Sequence, residues 1–411
     1  MAERRSLLVI NQHYPPDTLA SGQILAELAE DLVRHHGWQV DIVAGAPLRL
    51  AEGANWSWHW SELLHGVRVL RVPSYNPAQR TIPRRLWHYA SYGMWAMLRG
   101  LQARQPDIVL VMSTPPILTG MLGWWHSALH GARFVYDIQD LFPDILRPRL
   151  QGSVPGRGLY QTLHATERWL EQRADHIVVI GERMRAIVQQ HGIAPERVSV
   201  IPNWADASAI VPLGKDTDFA RRHGLQGQFV VMYSGNLGLN QDLDSVLEAA
   251  ALCQDRADIQ WLLVGDGESR ARLQQVAQSR GLRTVRFLPY QPKEMLAQSL
   301  GAADVGLVTV AGGISPYLIP SKLYGVMAAG SAVLAAVDPG SEVEDFIHRH
   351  DLGRTVPPGQ PRMLAEQVRL LADDRATVAA YGARARHILE THCSRRQCTD
   401  QYHHLLSGLL A

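Results

Sequence analysis

Short apolar runs alternating with amphipathic stretches recur along the whole chain. Leu7-Leu-Val-Ile10 is the first, and a loop holding Pro15, Pro16 and Gly22 follows it. Ile24, Leu25, Leu28 and Leu32 then recur at helical spacing with Glu27, Glu30 and Asp31 opposite, and Gly37 stops the helix before Val40-Asp-Ile-Val43. This opening predicts a parallel sheet with right-handed crossovers. Runs at 67–72, 108–112, 133–136, 177–180 and 198–201 continue it, so the first half reads as one doubly wound domain. After Pro202-Asn203-Trp204 and a polar stretch through Lys215 and Asp218 the rhythm restarts, with runs at 229–233, 259–264, 285–288, 305–310 and 332–336. The pattern predicts an α/β chain of two Rossmann-like domains in tandem, residues 1–204 and 205–380, then a helical segment over 381–411.

Composition narrows this picture. At 411 residues the chain is longer than one hydrophobic core supports, and 46% hydrophobic residues suit a folded protein. Forty basic residues against 39 acidic ones leave no electrostatic footprint for nucleic acid. Cys253, Cys393 and Cys398 fit neither a disulfide framework nor a zinc site, and read as reduced cysteines of a cytoplasmic protein. The run at 7–10 is shorter than a signal-peptide core, and the stretches at 92–98 and 117–129 are too short or too interrupted to span a bilayer. A soluble or membrane-surface enzyme is the expectation.

In open α/β sheets ligands sit beyond the carboxyl ends of the strands, so the loops that follow strands are where chemistry belongs. The loop 11–22 ends at Ser21-Gly22 as a helix begins, where a glycine lets a phosphate approach the first amides. Gly235-Asn236-Leu-Gly238 follows the strand at 229–233 and is expected to open a helix too, so that two such termini across a cleft would grip a diphosphate. The nearby Asp242 and Asp244 are read as helix-start acids rather than metal ligands. Gly312 to Lys322 combines two glycines with Pro320-Ser321-Lys322 ahead of an apolar helix. This is an anion site, in which Ser321 hydrogen-bonds phosphate and Lys322 neutralises a departing diphosphate. Asp137, Asp140 and Asp144 crowd the end of the strand at 133–136, with Asp140 or Asp137 as base or orienting group for an acceptor hydroxyl.

Taken together, the chain resembles the family 4 retaining glycosyltransferases of the GT-B fold, above all bacterial enzymes of exopolysaccharide, colanic-acid and O-antigen assembly. The likeness is carried by 11–16 with Ser21-Gly22, by 136–143 and 200–203, and in the second half by 233–238, 263–267, 320–324 and 327–330. It implies two domains with parallel sheets facing across a cleft, the first binding the acceptor and the second the nucleotide sugar, and a C-terminal helix returning to the first. Gly22 and Gly235 would lie against the diphosphate, Lys322 would bind it, and the segment from Phe287 to Tyr290 would border the base. The chemistry implied needs no metal and no cofactor beyond the donor itself. Where many members place a ribose-binding glutamate this chain has Gly325, with Tyr317 at the partner position; Glu342 is the remaining acid nearby, read otherwise as a helix-start residue. Asn240-Gln241 stands where relatives often have a basic residue.

Arg80, Arg84, Arg85, Arg99 and Arg104 surround Trp87, Tyr89, Tyr92 and Trp95, and Trp56, Trp58, His59 and Trp60 form an aromatic loop. These suit contact with an anionic membrane on its cytoplasmic face and a saccharide or polyprenyl-linked saccharide acceptor, or else a packing helix and a half-buried loop. The function expected is retaining sugar transfer to such an acceptor in cell-surface polysaccharide biosynthesis. A nucleotide-sugar epimerase of the same fold and a nucleotide-sugar-binding protein without catalysis are the alternatives.

Overall fold

A computed structural model describes residues 5–17, 19–47, 60–73, 82–113, 115–150 and 152–411. Their contacts divide the chain into two units, residues 1–202 with 395–411, and residues 203–394.

Unit 1 begins with β1 (Ser6–Ile10), α1 (Ala20–His36), β2 (Gln39–Gly45), β3 (Ser61–Leu64), β4 (Val67–Val72) and α2 (Ile82–Gly100). It continues with β5 (Ile108–Met112), α3 (Leu118–His130), β6 (Arg133–Ile138), α4 (Arg147–Leu150) and α5 (Val154–Arg173). Then come β7 (His176–Val179), α6 (Glu182–Gln190) and β8 (Val198–Val200). The sheet order is β3-β4-β2-β1-β5-β6-β7-β8, parallel except for the β3 edge. β1 and β5 are buried at every position, as strands covered by helices on both faces must be. The order reverses between β1 and β5, which pair from Leu7 with Ile108 to Ile10 with Val111.

Unit 2 runs α7 (Asp218–Arg222), β9 (Phe229–Ser234), α8 (Leu243–Leu252), β10 (Ile259–Val264), α9 (Arg270–Ser279), β11 (Val285–Leu288) and α10 (Leu296–Gly301). It closes with β12 (Val305–Thr309), α11 (Lys322–Ala328), β13 (Ala332–Ala336), α12 (Glu342–His350), β14 (Gly353–Val356), α13 (Pro361–Asp373) and α14 (Arg375–His392). Its six strands are all parallel in the order β11-β10-β9-β12-β13-β14, with Phe229, Trp261 and Leu307 in the core.

The helical segment beyond residue 377 is two helices, not one. α14 packs on α11 and β13 and stays with unit 2, so the part that joins unit 1 starts at Arg395 and not at residue 381. That part is α15 (Arg395–Gly408), which packs on α1. Its seat is polar: Arg395 pairs with Asp31 at 2.6 Å and Glu30 at 3.1 Å, Trp38 donates to His403 at 3.0 Å, and His36 meets Asp400 at 2.8 Å.

Two buried groups give unit 1 opposing responses to pH. His126 of α3 is fully buried, and burial, with a smaller push from His130, holds its imidazole down to about 4. Glu167 of α5 accepts from the Tyr136 hydroxyl at 2.7 Å, and burial raises its carboxyl to about 8. The unfolded chain therefore binds a proton at His126 more readily than the folded one. Its share of stability, full above pH 6.5, is lost as pH falls toward 4, up to about 3 kcal/mol. Glu167 acts in the other sense, so the informative quantity is the difference between wild type and His126→Leu. Urea midpoints measured from pH 7 to 4 should fall more steeply in wild type; parallel curves would refute the assignment.

Candidate active site

In unit 2 the strand order reverses between β9 and β12, and these two pair only at Val231 with Val305 and Met232 with Gly306. Beyond that point they part, and the loops at their carboxyl ends fill the opening. Thr309 donates to the Gln241 carbonyl, and Ala311 N to the Asn240 carbonyl at 2.9 Å. A cavity of about 80 Å³ lies here, with Ser234, Gly306, Lys322 and Gly325 in its walls. A Cβ at Gly325 would meet only Leu300, at 3.6 Å, so this glycine leaves part of the space open.

Lys322 opens α11 and turns back over β9. Its ammonium donates to the Tyr233 hydroxyl at 2.7 Å and to the Gln241 side-chain carbonyl, and lies 4.2 Å from the centre of the Tyr233 ring. The Tyr233 hydroxyl in turn donates to the Asn236 carbonyl at 2.7 Å. All of these partners are neutral, so nothing offsets the cost of burial, which lowers the Lys322 pKa to about 7. The sequence did not reveal Tyr233 and Gln241 as partners of Lys322. Gln241, a neutral residue, accepts from the lysine and adds no second charge.

The glycine loop after β9 corrects one expectation. Gly235 to Gly238 do not open a helix: a 3₁₀ turn (Leu239–Gln241) and Asp242, in the left-handed conformation at φ 47°, intervene before α8. The loop packs instead on the turn after β10, Leu237 N donating to the Asp266 carbonyl at 2.8 Å and Ser269 N to the Leu237 carbonyl at 3.0 Å. Gly235 has φ 148°, and a Cβ on it would stand 3.7 Å from the Lys322 stem, while a Cβ on Gly265 would overlap the Gly235 carbonyl. Asn236 is exposed, as is Tyr290, just beyond β11 and beside Asp266.

Ser321 is exposed, in helical conformation, and does not cap α11 with its side chain. The loop before it is held by Asp338, a residue the sequence did not mark, which accepts from Gly313 N at 2.8 Å and the Ser315 hydroxyl at 2.6 Å. Glu342 lies in the first turn of α12, which Ser341 caps. Asp242 accepts from Gly359 N at 2.8 Å and does not cap α8, and Asp244 pairs with Arg272. Among the described residues no cluster of three or more His, Cys, Asp or Glu is arranged to hold a metal ion.

In unit 1, Ser21 and Gly22 fall in the first turn of α1. A Cβ on Gly22 would come within 3.1 Å of the His13 carbonyl group, so the close approach this glycine permits is to the chain's own loop. Arg71, fully buried, fixes that loop: it pairs with Glu62 at 2.7 Å and donates to the Pro15 carbonyl. After β5, Ile117 takes φ 63°, a strained conformation for a β-branched residue, at the start of α3.

The three acids after β6 separate. Asp144 accepts from the Tyr160 hydroxyl at 2.6 Å. Asp137 is fully buried and accepts from the Tyr402 hydroxyl at 2.9 Å and the Gln139 amide at 2.7 Å; burial raises it to about 7. With no exposed atom it cannot meet a substrate, which corrects its candidacy as base. Asp140 is half-buried, carries no hydrogen bond or ion pair among the described residues, and is raised by burial to about 6.

The aromatic helix also differs from expectation. Tyr92 is 0% exposed and Arg99 is buried, so both face the core, whereas Trp87 and Arg84 are exposed. Trp56, Trp58, His59 and Arg80 lie outside the described residues, as does the Arg85 side chain. No helix among the described residues is long and apolar enough to cross a membrane.

Comparison with known proteins agrees across both units. Residues 20–204 match the glycosyl transferase 4-like domain and residues 215–388 the glycosyl transferases group 1 domain. The putative colanic acid biosynthesis glycosyl transferase WcaI of Escherichia coli K12 is 31% identical over 80% of this chain and 83% of its own. Sucrose-phosphate synthase from Thermosynechococcus elongatus superposes with a TM-score of 0.79 at 17% identity, covering 99% of each chain. Anabaena HepE in complex with UDP-glucose gives 0.72 at 19% identity, over 98% of this chain and 99% of its own. The two Rossmann-like units are those of the GT-B fold. The chain belongs to the family 4 glycosyltransferases, the enzymes built from a glycosyl transferase 4-like domain and a group 1 domain.

Proposed function

We propose that this glycosyltransferase moves a sugar, with retention, from a nucleoside diphosphate donor to a hydroxyl of a lipid-linked saccharide in cell-surface polysaccharide assembly. The observation that carries the reading is the Lys322 ammonium, seated on neutral partners at the strand-order reversal of unit 2. Such a cation lacks a counter-charge that a diphosphate supplies, and stabilising the departing diphosphate lowers the barrier to transfer. Gly235, Asn236 and Gly238 border that place, Ser321 adds a hydroxyl, and Tyr290 flanks the base. Lys322 supplies the charge that a metal ion supplies in other transferases, so the reading assigns no metal or cofactor. Asp140, whose carboxyl titrates near 6, takes or orients the proton of the acceptor hydroxyl. The name of the Escherichia coli relative supports the polysaccharide setting, and the UDP-glucose complex of HepE supports a nucleotide-sugar donor.

A membrane-bound acceptor fits α2. Trp87, 62% exposed, is followed at helical spacing by exposed Met94 and Leu98, an outward apolar stripe on a helix whose other face is already buried, with exposed Leu101 just beyond its end. Exposed Arg84 adds positive charge at its start. The protein should float with vesicles rich in anionic lipid, and Trp87→Ser should weaken this; no flotation of the wild type removes membrane contact from the proposal.

The donor site is tested by thermal shift with UDP-glucose, GDP-mannose and dTDP-glucose, with turnover followed as release of nucleoside diphosphate. At a hundredfold excess over Kd a cognate donor adds about 2.7 kcal/mol, enough to raise Tm by a few degrees. Lys322→Ala should weaken binding by about tenfold to a hundredfold. If no nucleotide sugar stabilises either protein, the donor-site argument fails.

The affinity should also depend on pH. The free lysine loses its proton above about 7, whereas the bound dianion favours the charged form. Each pH unit above 7 should therefore weaken binding by up to about tenfold until the pKa of the complex is passed. A pH-independent Kd in wild type, matching that of Lys322→Ala, would contradict the role given to the ammonium.

A further inference from the structure

We propose that Tyr402, on the C-terminal helix α15, is a positioning residue for the loop that carries Asp140, acting through its hydrogen bond to the buried Asp137 carboxylate. This rests on the reading of Asp140 as the group that meets the acceptor hydroxyl. The Asp140 side chain carries no hydrogen bond or ion pair among the described residues, so the placement of the residues just before it bears on where its carboxyl points. Those residues are tied down from two directions. From the sheet, Ser113 N donates to the Asp137 carbonyl at 2.9 Å, and Gln139 N donates to the Ser113 hydroxyl at 3.0 Å. From outside the sheet, the Tyr402 hydroxyl donates to Asp137 Oδ2 at 2.9 Å, while Gln139 Nε2 closes the ring on Oδ1 at 2.7 Å. Tyr402 is 1% exposed and lies 265 positions beyond its partner.

The way α15 is seated makes this contact directional. Ion pairs and hydrogen bonds from Arg395, Asp400 and His403 fix the helix along its length on α1 and the Trp38 turn. Thr399 adds a bond to Asp31 at 3.0 Å. Polar contacts of this kind set the register of a helix more sharply than apolar packing, because a shift of one residue breaks them all. Unit 2 ends at Ser394 and α15 follows it at once as part of unit 1, so the hydroxyl that meets Asp137 comes from the far end of the chain. Without that hydroxyl Asp137 would stay buried with one oxygen unpaired, would bind a proton more readily, and would cease to hold Gln139 in its present place.

The test follows the aspartate side-chain carbons by NMR in protein labelled with 4-13C-aspartate, the signals of residues 137 and 140 being assigned with Asp137→Asn and Asp140→Asn. In Tyr402→Phe the Asp140 midpoint should move down from about 6 by about one pH unit as the loop loosens and water reaches it, and that of Asp137 should move up. Leu406→Ala removes a buried apolar anchor of the same helix and should lower Tm while leaving the Asp140 midpoint in place. An Asp140 midpoint in Tyr402→Phe that superimposes on wild type, or that moves equally in Leu406→Ala, overturns the proposal. Undiminished donor turnover in Asp140→Asn is a separate failure: it removes the reading beneath the proposal, and the proposal with it, whatever the titration shows.

Discussion

The ammonium of Lys322 is a cation set among neutral groups, and the carboxyl end of unit 2 is organised around it. A buried charge needs hydrogen bonds even where it lacks a counter-charge, and here they come from Tyr233 on β9 and Gln241 ahead of α8. Each of these does a second thing. Tyr233 draws the Asn236 carbonyl over the strand end, which curls the glycine loop toward the turn after β10. The Gln241 carbonyl accepts from Thr309, which ties the same loop to β12 across the gap where the strands part. The loop therefore takes its shape from the lysine's partners and from its neighbour turn, not from a helix terminus.

Unit 1 solves a related problem with the opposite charge. Asp137 ends β6 with a buried carboxylate and no cation in contact, and two neutral donors hold it, one of them from α15. Asp144, a few residues on, is held by Tyr160. Asp140 between them has no hydrogen bond or ion pair among the described residues, and it is the most exposed of the three. The scaffold thus spends its internal donors on the flanking acids, which leaves the middle one available to an outside group.

What the sequence reveals of this depends on how local each feature is. Parallel strands covered on both faces read as unbroken apolar runs, so β5 and β13 stand out. The edges do not: β3 is Ser-Glu-Leu-Leu with no buried residue, and β14 begins at Gly353 and buries only its ends. Lys322 was legible because an ammonium after a proline turn at a strand end has a meaning within four residues. Its partners were not, because Tyr233 and Gln241 lie 89 and 81 positions earlier. The loop from Gly235 to Gly238 was misread for the same reason. The helical pattern from Leu243 is visible in the sequence, but the left-handed Asp242 and the pull of Tyr233 that delay the helix are tertiary effects. Tyr402 carries no local sign of its attachment to Asp137.

Lys322 and Asp140, like the enclosed Asp137, differ from the ion pairs at the surface. Asp244 with Arg272, and Asp255 with Arg369, are exposed pairs in which each partner holds the other's charge, so a ligand has little to gain there. Lys322 is pushed down to about 7 and Asp140 up to about 6 by burial alone, with no opposite charge offsetting it. A group in that state sits close to the midpoint of its titration at neutral pH, and a small change in surroundings settles its protonation. In the proposed reaction a diphosphate would fix the lysine as a cation, and an acceptor hydroxyl would offer the carboxylate a proton. The folded chain bears the cost of leaving both charges uncompensated, and under the proposed function that cost is what donor and acceptor would relieve.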